Sequence, residues 1–438
     1  MKCSPNIVYI HSHDTGRYIE PYGHAIPTPH LKRLADGGVV FRDHHTAGPT
    51  CSPSRAALMT GQFPHQTGML GLAHRGFSLH DYGKCIPHTL KKSGYASYLL
   101  GMQHIAHTDE QIKAIGYDVI DIAGPKNVAT VAHRAAKLIA SKPKAPFFID
   151  AGFFETHRKG RDFERTDYKT DARYVRVPAP LPDNAVTRAD MANFIDSART
   201  YDDGVGIILD AIEKAGLAEN TIIIATTDHG IAFPGMKCNL TSHGTGIMLI
   251  MRGPGVPSAT VSDALSSNID IYPTICELAG INAPPWLEGA SLVPALSGKE
   301  VHEEIFSEVT YHAAYEPMRS VRTKEHLYIR RFKERNRPVL PNCDDSPSKD
   351  VWMEHGWPRS SLASEQLYDL ISDPNETNDR CGDDAYAEIR AAMRARLEKY
   401  MKRTDDPLLA PSIPLPMGVI INDEDDLQPD ATTAKKIS

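Results

Sequence analysis

Five short apolar runs, set well apart and divided by amphipathic stretches, constrain this chain more than any other feature. They are Ile7–Ile10, Tyr95–Leu100, Phe147–Gly152, Thr221–Thr227 and Ile247–Met251. Buried strands of this length with helical patterns between them predict an α/β fold, a large central and mostly parallel sheet flanked by helices. The intervening segments carry helix punctuation. Thr28-Pro29 reads as an N-cap with proline at the first helical position, and Gly37-Gly38 closes that helix. A longer helix is expected from about Arg188 to Ala215 with Gly216 as its stop, and another over Ile269–Ala279, closed by Gly280.

With 438 residues the chain exceeds what one core usually organises, so a second, smaller unit is expected. The pattern changes near residue 315, which assigns residues 1–315 to a large domain and 316–438 to a C-terminal α+β subdomain and tail. There Ser320–Phe332 reads as one strand centred on His326–Ile329, Gln366–Leu370 as another, and Ala385–Met401 as a charged helix. This predicts a small antiparallel sheet with one packed helix. Beyond Asp405 the Pro- and Asp-rich tail is expected to wrap or dangle.

The formal charge of −7 and the absence of a long basic run exclude nucleic acid as a partner class. No apolar stretch approaches the roughly 20 residues that span a bilayer, so no membrane partner is expected. Met1-Lys2-Cys3 leads straight into the first strand without a leader's apolar region, which points to the cytoplasm, or to the periplasm or exterior if a leader was trimmed. The seven cysteines, Cys3, Cys51, Cys85, Cys238, Cys276, Cys343 and Cys381, make no CxxC pair and no disulfide framework.

Ligands of open α/β sheets sit beyond the carboxyl ends of the strands. His13 and Asp14 follow the first strand, His104 the second, His157 and Arg158 the third, and Asp228-His229 ends the fourth. Four strand ends carrying such groups argue for one shared site. Thr50-Cys51-Ser52-Pro53-Ser54-Arg55 adds a nucleophile: with Ser52 as cap and Pro53 at N1, a helix runs to Gly61 and Cys51 lies just before its N-terminus. Free N–H groups there favour an anion, and Arg55 supplies a cation one turn on.

Cys51-Ser52-Pro53-Ser54-Arg55, continuing through Leu58-Met59-Thr60-Gly61, resembles the C-x-P-S-R motif of the formylglycine-dependent sulfatases, of the alkaline phosphatase superfamily. The resemblance extends through Pro5-Asn6-Ile7, Thr28-Pro29-His30-Leu31 and Thr227-Asp228-His229-Gly230 to Leu367-Tyr368-Asp369 and Asp373-Pro374, nearly the whole chain. His65-Gln66-Thr67-Gly68-Met69, Thr156-His157-Arg158 and Pro317-Met318-Arg319-Ser320 look most like the heparan N-sulfatase (sulfamidase) branch.

The resemblance implies a role for each matching position. Cys51 would be oxidised by a formylglycine-generating enzyme, and the hydrate of formylglycine would attack sulfur. Asp14, Asp228 and His229 match metal ligands, with His13 as a possible fourth. His104 matches the histidine that takes a proton from the hydrate and so expels sulfate from the covalent intermediate. His157 matches a general acid near the bridging atom, Lys237 the sulfate-binding cation, and Arg55 the motif arginine. Arg17, His74, Arg75, Arg158 and His243 are candidates for substrate contact.

Two departures bear on the chemistry. His13 stands where many sulfatases have the first of paired aspartates, and with His229 it makes the site rich in nitrogen. Ca2+ is the common metal of the family, but this donor set gives weight to Mn2+, Zn2+ or Mg2+. Met102 replaces the usual lysine two residues before His104, so one cation is missing. The expected activity is hydrolysis of sulfate esters, or sulfamates, of carbohydrates or small molecules, with sulfated sugars, uronate-containing oligosaccharides among them, as first choice. The alternatives are a phosphonate monoester or phosphodiester hydrolase of the same superfamily, and a non-catalytic sulfated-glycan-binding protein.

Overall fold

A computed structural model describes residues 4–410, 412–413, 415–429 and 433–437; Cys3 lies outside them. Eight strands form the main sheet: β1 (Asn6–His11), β2 (Val39–Phe41), β3 (Ala96–Gly101), β4 (Val119–Asp121), β5 (Phe147–Gly152), β6 (Thr221–Thr226), β7 (Leu249–Arg252) and β8 (Thr260–Ser262). Their spatial order is β4-β3-β5-β1-β6-β7-β2-β8. Only β7 runs against its neighbours, β6 and β2. The expected mostly parallel α/β sheet is therefore present, with β1 at its centre between β5 and β6.

Alternation along the central strands explains why helices cover both faces. Ile7, Tyr9, Ile222, Ile224, Leu249 and Met251 point into one core, with α2 (Cys51–Thr60) and α5 (Ile271–Ala279) over it. Val8, Ile10, Ile223, Ala225, Met248 and Ile250 point into the other, under α1 (Pro29–Asp36), α3 (Val128–Ala140) and α4 (Ala185–Lys214). A strand buried on both faces must be apolar at consecutive positions, which is why these runs were visible in the sequence. Ile7 and Ile223 are fully buried, and truncating such a residue to alanine costs about 2–5 kcal/mol.

The smaller sheet is antiparallel, in the order β9 (Ile305–Tyr311), β10 (Tyr315–Arg322), β11 (His326–Arg331), β12 (Glu365–Asp369). Its first strand lies on the N-terminal side of the boundary expected between residues 315 and 316. The segment expected as one strand over Ser320–Phe332 is two: β10 and β11 pair through a turn at residues 323–325. Alternation alone does not reveal a hairpin whose turn, Thr323-Lys324-Glu325, lacks Gly, Pro and Asn. α6 (Ala387–Arg403) packs Met393, Leu397 and Tyr400 on Val321, Tyr328 and Leu367, and the same cluster takes in Ala57 of α2. The two sheets thus share a core. The described part of the tail is anchored too: Arg75 donates to Asn422 Oδ1 and to the Pro429 carbonyl. Among the described residues no helix is long and apolar enough to cross a membrane.

One buried ionic network locks the halves together. His65 Nδ1 lies 2.6 Å from Glu308 Oε2 on β9, and its Nε2 lies 3.2 Å from the Thr404 carbonyl beyond α6. Arg319 of β10 pairs with Asp406 at 2.6 Å and with Glu308 at 3.4 Å. Both ring nitrogens of His65 face acceptors, so the geometry asks for the doubly protonated ring. Burial opposes that charge, but Glu308 and Asp406 outweigh it and hold the pKa above the ordinary 6.5. A raised folded-state pKa contributes stability that is complete below about 6.5 and lost as pH rises through the folded value. The melting temperature should therefore fall as pH is raised above about 6.5, and His65→Gln should flatten that slope. Identical slopes for both proteins would assign the stabilisation elsewhere.

Candidate active site

The carboxyl ends of β1, β3, β5 and β6 meet the N-terminus of α2. Asp14 follows β1 in a left-handed conformation, φ 52°, and His104 follows β3 at φ 60°. Such backbone is costly for residues with a Cβ and gathers at functional sites. The Asp228 carboxylate fixes both neighbouring turns: Oδ1 accepts the N–H of Asp14 at 2.8 Å and that of His229 at 3.0 Å. Gly230 next to it must be glycine, because a Cβ there would lie 1.9 Å from the His243 carbonyl oxygen.

α2 begins two residues earlier than expected. Thr50 is its N-cap and Cys51 its first residue, so Ser52 does not cap; its Oγ accepts the N–H of Ala73 instead. Gly61 ends the helix in the left-handed conformation, as its sequence signal implied. Cys51 Sγ lies 3.2 Å from His229 Nε2. That nitrogen is also 3.3 Å from Asp14 Oδ1 and 3.7 Å from Asp228 Oδ2. The other ring nitrogen of His229, Nδ1, faces the Gly230 carbonyl at 2.9 Å and so carries the proton, leaving the Nε2 lone pair turned into the cluster.

His13 lies 3.2 Å from Asp228 Oδ2 through Nδ1. Neither of its ring nitrogens makes a hydrogen bond, and Asp14 Oδ1 makes none either, although all three atoms are buried. Donor atoms of His13, Asp14, Cys51 and Asp228 all fall within 4.8 Å of one another. Buried lone pairs without protons to accept are expensive unless a cation satisfies them, so this donor set fits a metal ion.

Fixed cations flank the carboxylates. Arg55 donates to Asp228 Oδ2 at 2.9 Å and to the Ser12 carbonyl at 2.8 Å. Lys237 Nζ sits 3.1 Å from Asp14 Oδ2 and 2.8 Å from Asp344 Oδ2. Burial pushes the Asp228 carboxyl upward, but the charges facing it, the Arg55 guanidinium foremost, outweigh it and hold it well below the usual range. Asp14 is likewise lowered against its burial by Lys237, His157 and His229. Burial, then Arg55, brings His13 down to about 3, and burial with His13 and His74 nearby holds His104 well below 6.5. The Cys51 thiol is raised well above its ordinary value by burial, which Lys237 only partly offsets.

His157 Nδ1 donates to the Arg158 carbonyl at 2.7 Å, and its Nε2 stands 3.8 Å from Asp14 Oδ2. His104 Nε2 lies 3.0 Å from His74 Nδ1, with the two rings stacked 5.3 Å apart. The structure thus brings together Asp14, Cys51, Arg55, His13, His104, His157, Asp228, His229 and Lys237, with His74 against the rim.

Four expected substrate contacts are engaged elsewhere. Arg158 clasps Asp190 with both terminal nitrogens, at 2.8 and 2.9 Å, donates through Nε to the Ala232 carbonyl, and packs on Phe163 and Phe233. It is a buried fastener of α4, not a group open to substrate. Arg75 is the buried anchor of the tail described above. Arg17 donates to the Arg42 carbonyl at 3.0 Å and lies against Gly246. His243 lines a separate cavity of about 700 Å3 with Tyr18, His24 and Arg176, a cavity lined by none of the clustered residues.

Three residues were not foreseen. His11 accepts from Arg55 Nη1 through Nδ1 at 2.5 Å and donates through Nε2 to Asp150 at 2.9 Å, which orients the arginine from behind. Its signal was a polar side chain ending an otherwise apolar run. Asp344 and the buried His312 come from connections between strands of the small sheet, and no local pattern ties them to the first strand end.

The sulfatase family profile matches residues 5–281, and a profile described as N-sulphoglucosamine sulphohydrolase, C-terminal, matches residues 240–342. The human N-sulphoglucosamine sulphohydrolase is 29% identical over 87% of each chain. A Delta 4,5-hexuronate-2-O-sulfatase of Bacteroides thetaiotaomicron is 27% identical over 92% of this chain and 90% of its own. Among solved structures, a 2-O GAG sulfatase aligns with TM-score 0.73 at 22% identity, covering 94% of this chain and 95% of its own. Another, in complex with its substrate D-glucosamine-2-N,6-O-disulfate, aligns with TM-score 0.73 at 18% identity, covering 93% and 100%. Both share the fold.

In protein that still carries cysteine at position 51, burial and the raised thiol predict inertness toward alkylation. Iodoacetamide at about pH 8 should leave the Cys51 peptide unlabelled in the folded protein and label it fully in urea, as peptide mass spectrometry would show. Labelling at the rate of a free peptide thiol would contradict the burial described here.

Proposed function

The chain belongs to the sulfatase family of hydrolases, and from that premise we propose that it cleaves sulfate esters of carbohydrates, with residue 51 as nucleophile after oxidation of Cys51 to formylglycine. The observation that carries the proposal is Cys51 at the start of α2, 3.2 Å from His229 Nε2, beside buried lone pairs of His13 and Asp14 that no proton satisfies. What the related proteins act on supports a sulfated sugar as substrate.

Asp14, Asp228 and His229, with His13 as the fourth protein donor, would hold one divalent metal. Charge supports it: among the described residues Asp14, Asp228 and Asp344 face two fixed cations, Arg55 and Lys237, while burial keeps His13 and His104 neutral. The nitrogen donors favour Mn2+ or Zn2+ over Ca2+. When bound, such an ion supplies Lewis acidity and lowers the pKa of a hydroxyl on residue 51, which as formylglycine hydrate is the group that attacks sulfur.

The chain's own residues do the rest. Arg55, held by His11, keeps Asp228 in register. Lys237 offers an ammonium to a sulfate oxygen. His157 donates Nδ1–H to a carbonyl, so its Nε2 is the atom left to carry a proton to the bridging oxygen. His104, neutral and beside residue 51, is the acceptor for a proton leaving that residue's second hydroxyl.

Co-expression with a formylglycine-generating enzyme should lower the mass of the Cys51 peptide and give protein that releases sulfate from sulfated sugars; Cys51→Ala should abolish release. Asp228→Ala should lose bound metal, measured by elemental analysis, and activity together. Retention of both would refute the metal assignment.

His157 should matter most when the leaving group is poor. His157→Ala should slow cleavage of a sulfated sugar about 10²–10⁴-fold and harm 4-nitrophenyl sulfate far less. Equal losses on the two substrates would mean that His157 is not the acid.

A further inference from the structure

The cluster meets solvent at its rim. Side chains of His157 and Asp344 are 25% and 16% exposed and His74 is exposed, whereas Asp14, Asp228 and Lys237 are at most 2% exposed. Any substrate approaching residue 51 passes this rim, and Asp344 is the one carboxylate among these three residues. Its loop is pinned on both sides. Asn342 accepts the N–H groups of Ala313 and Ala314 at 3.0 and 2.9 Å, and buried Lys349 donates to the Cys343 carbonyl at 2.8 Å. Asp344 is therefore held in place, not swept in by a mobile segment.

A carboxylate beside a site for an anionic ester is unfavourable unless its charge is used. Neutralising Lys237 is not a sufficient use, because that ammonium already has Asp14 at 3.1 Å. Asp344 Oδ2 is buried against the Lys237 ammonium at 2.8 Å, but among the described residues none donates to its Oδ1, so that oxygen's accepting capacity is open. We infer that Asp344 is a specificity residue, accepting a hydrogen bond from a hydroxyl or ammonium group next to the sulfate, so that the substrate is a neutral or amino sugar and not a uronate. The inference rests on the sulfatase reading and narrows it. A uronate carboxylate at that place would meet Asp344 as a like charge, whereas a site built to accept a donor rejects analogues that lack it.

The test uses the metal-loaded, formylglycine-bearing enzyme and its Asp344→Asn variant. The substrates are monosulfated hexoses and hexosamines, their deoxy analogues lacking the hydroxyl or amine beside the ester, a hexuronate 2-O-sulfate, and 4-nitrophenyl sulfate. On the unsubstituted enzyme, deleting the neighbouring donor should lower kcat/KM about 10- to 100-fold, the range for hydrogen bonds to a charged group. In Asp344→Asn the same deletion should cost less than about threefold, and the variant's loss on the sugar should exceed its loss on 4-nitrophenyl sulfate about tenfold or more. The hexose and hexosamine arms tell hydroxyl from ammonium. Equal deoxy penalties in both enzymes, equal losses on sugar and aryl sulfate, or preference for the uronate would overturn the inference and leave the sulfatase reading standing. If the unsubstituted enzyme turned over no sulfate ester at all, the functional reading itself would fall. On the unsubstituted protein alone, absence of a deoxy penalty or preference for the uronate overturns the inference, so it stays falsifiable even if the variant does not fold.

Discussion

The Asp228 carboxylate is the interaction on which the site depends. One oxygen holds the backbone of Asp14 and His229 in their turns; the other meets Arg55 at 2.9 Å and His13 at 3.2 Å. A fully buried carboxylate survives only with such complete compensation, and breaking a buried pair of this kind typically costs about 3–5 kcal/mol. Arg55 is in turn fixed by His11, and His11 by Asp150, whose second oxygen accepts from Tyr117. The chain of contacts runs from Tyr117, in the core beneath α2, to the carboxylate beside the nucleophile. Each member is positioned by the next, and none has a spare orientation.

This arrangement follows from strand order. β1 lies between β5 and β6, so the turns after all three, bearing Asp14, His157 and Asp228, open side by side. β3, beyond β5, brings His104 to the same edge. α2 enters from one face and delivers Cys51 with Arg55 a turn behind. A sheet with another order would carry the same residues and assemble no site. Topology here converts residues scattered over more than two hundred positions of sequence into neighbours a few ångströms apart.

That also explains what could be read in advance. Runs buried on both faces are apolar throughout, so the core strands and the residues capping them were legible, and motif residues such as Cys51 and Asp228 followed. The hairpin of β10 and β11 was not, because its turn lacks the usual turn residues. Arg158 and Arg75 were read as substrate contacts because sequence shows a charge but not its partner; Asp190 lies 32 residues away and Asn422 lies 347 away. Asp344 was invisible for the same reason in reverse. Nothing local marks an aspartate whose meaning comes from Lys237, more than a hundred residues earlier.

The division of labour between the two sheets follows from these distances. Groups that hold charge and nucleophile come from the ends of the main sheet, where backbone geometry is set by neighbouring strands. Groups at the rim, Asp344 with His312 near it, come from the small sheet and its loops, whose conformation is set by packing against α2 and by the His65–Glu308 pair. Loops of that kind change by insertion without disturbing a scaffold. Substrate preference can therefore drift in this half while the chemistry stays fixed in the other. The coupling is mechanical as well as spatial. The small sheet cannot shift without breaking a buried ion pair, so the rim is held to the nucleophile as firmly as the core holds the strands.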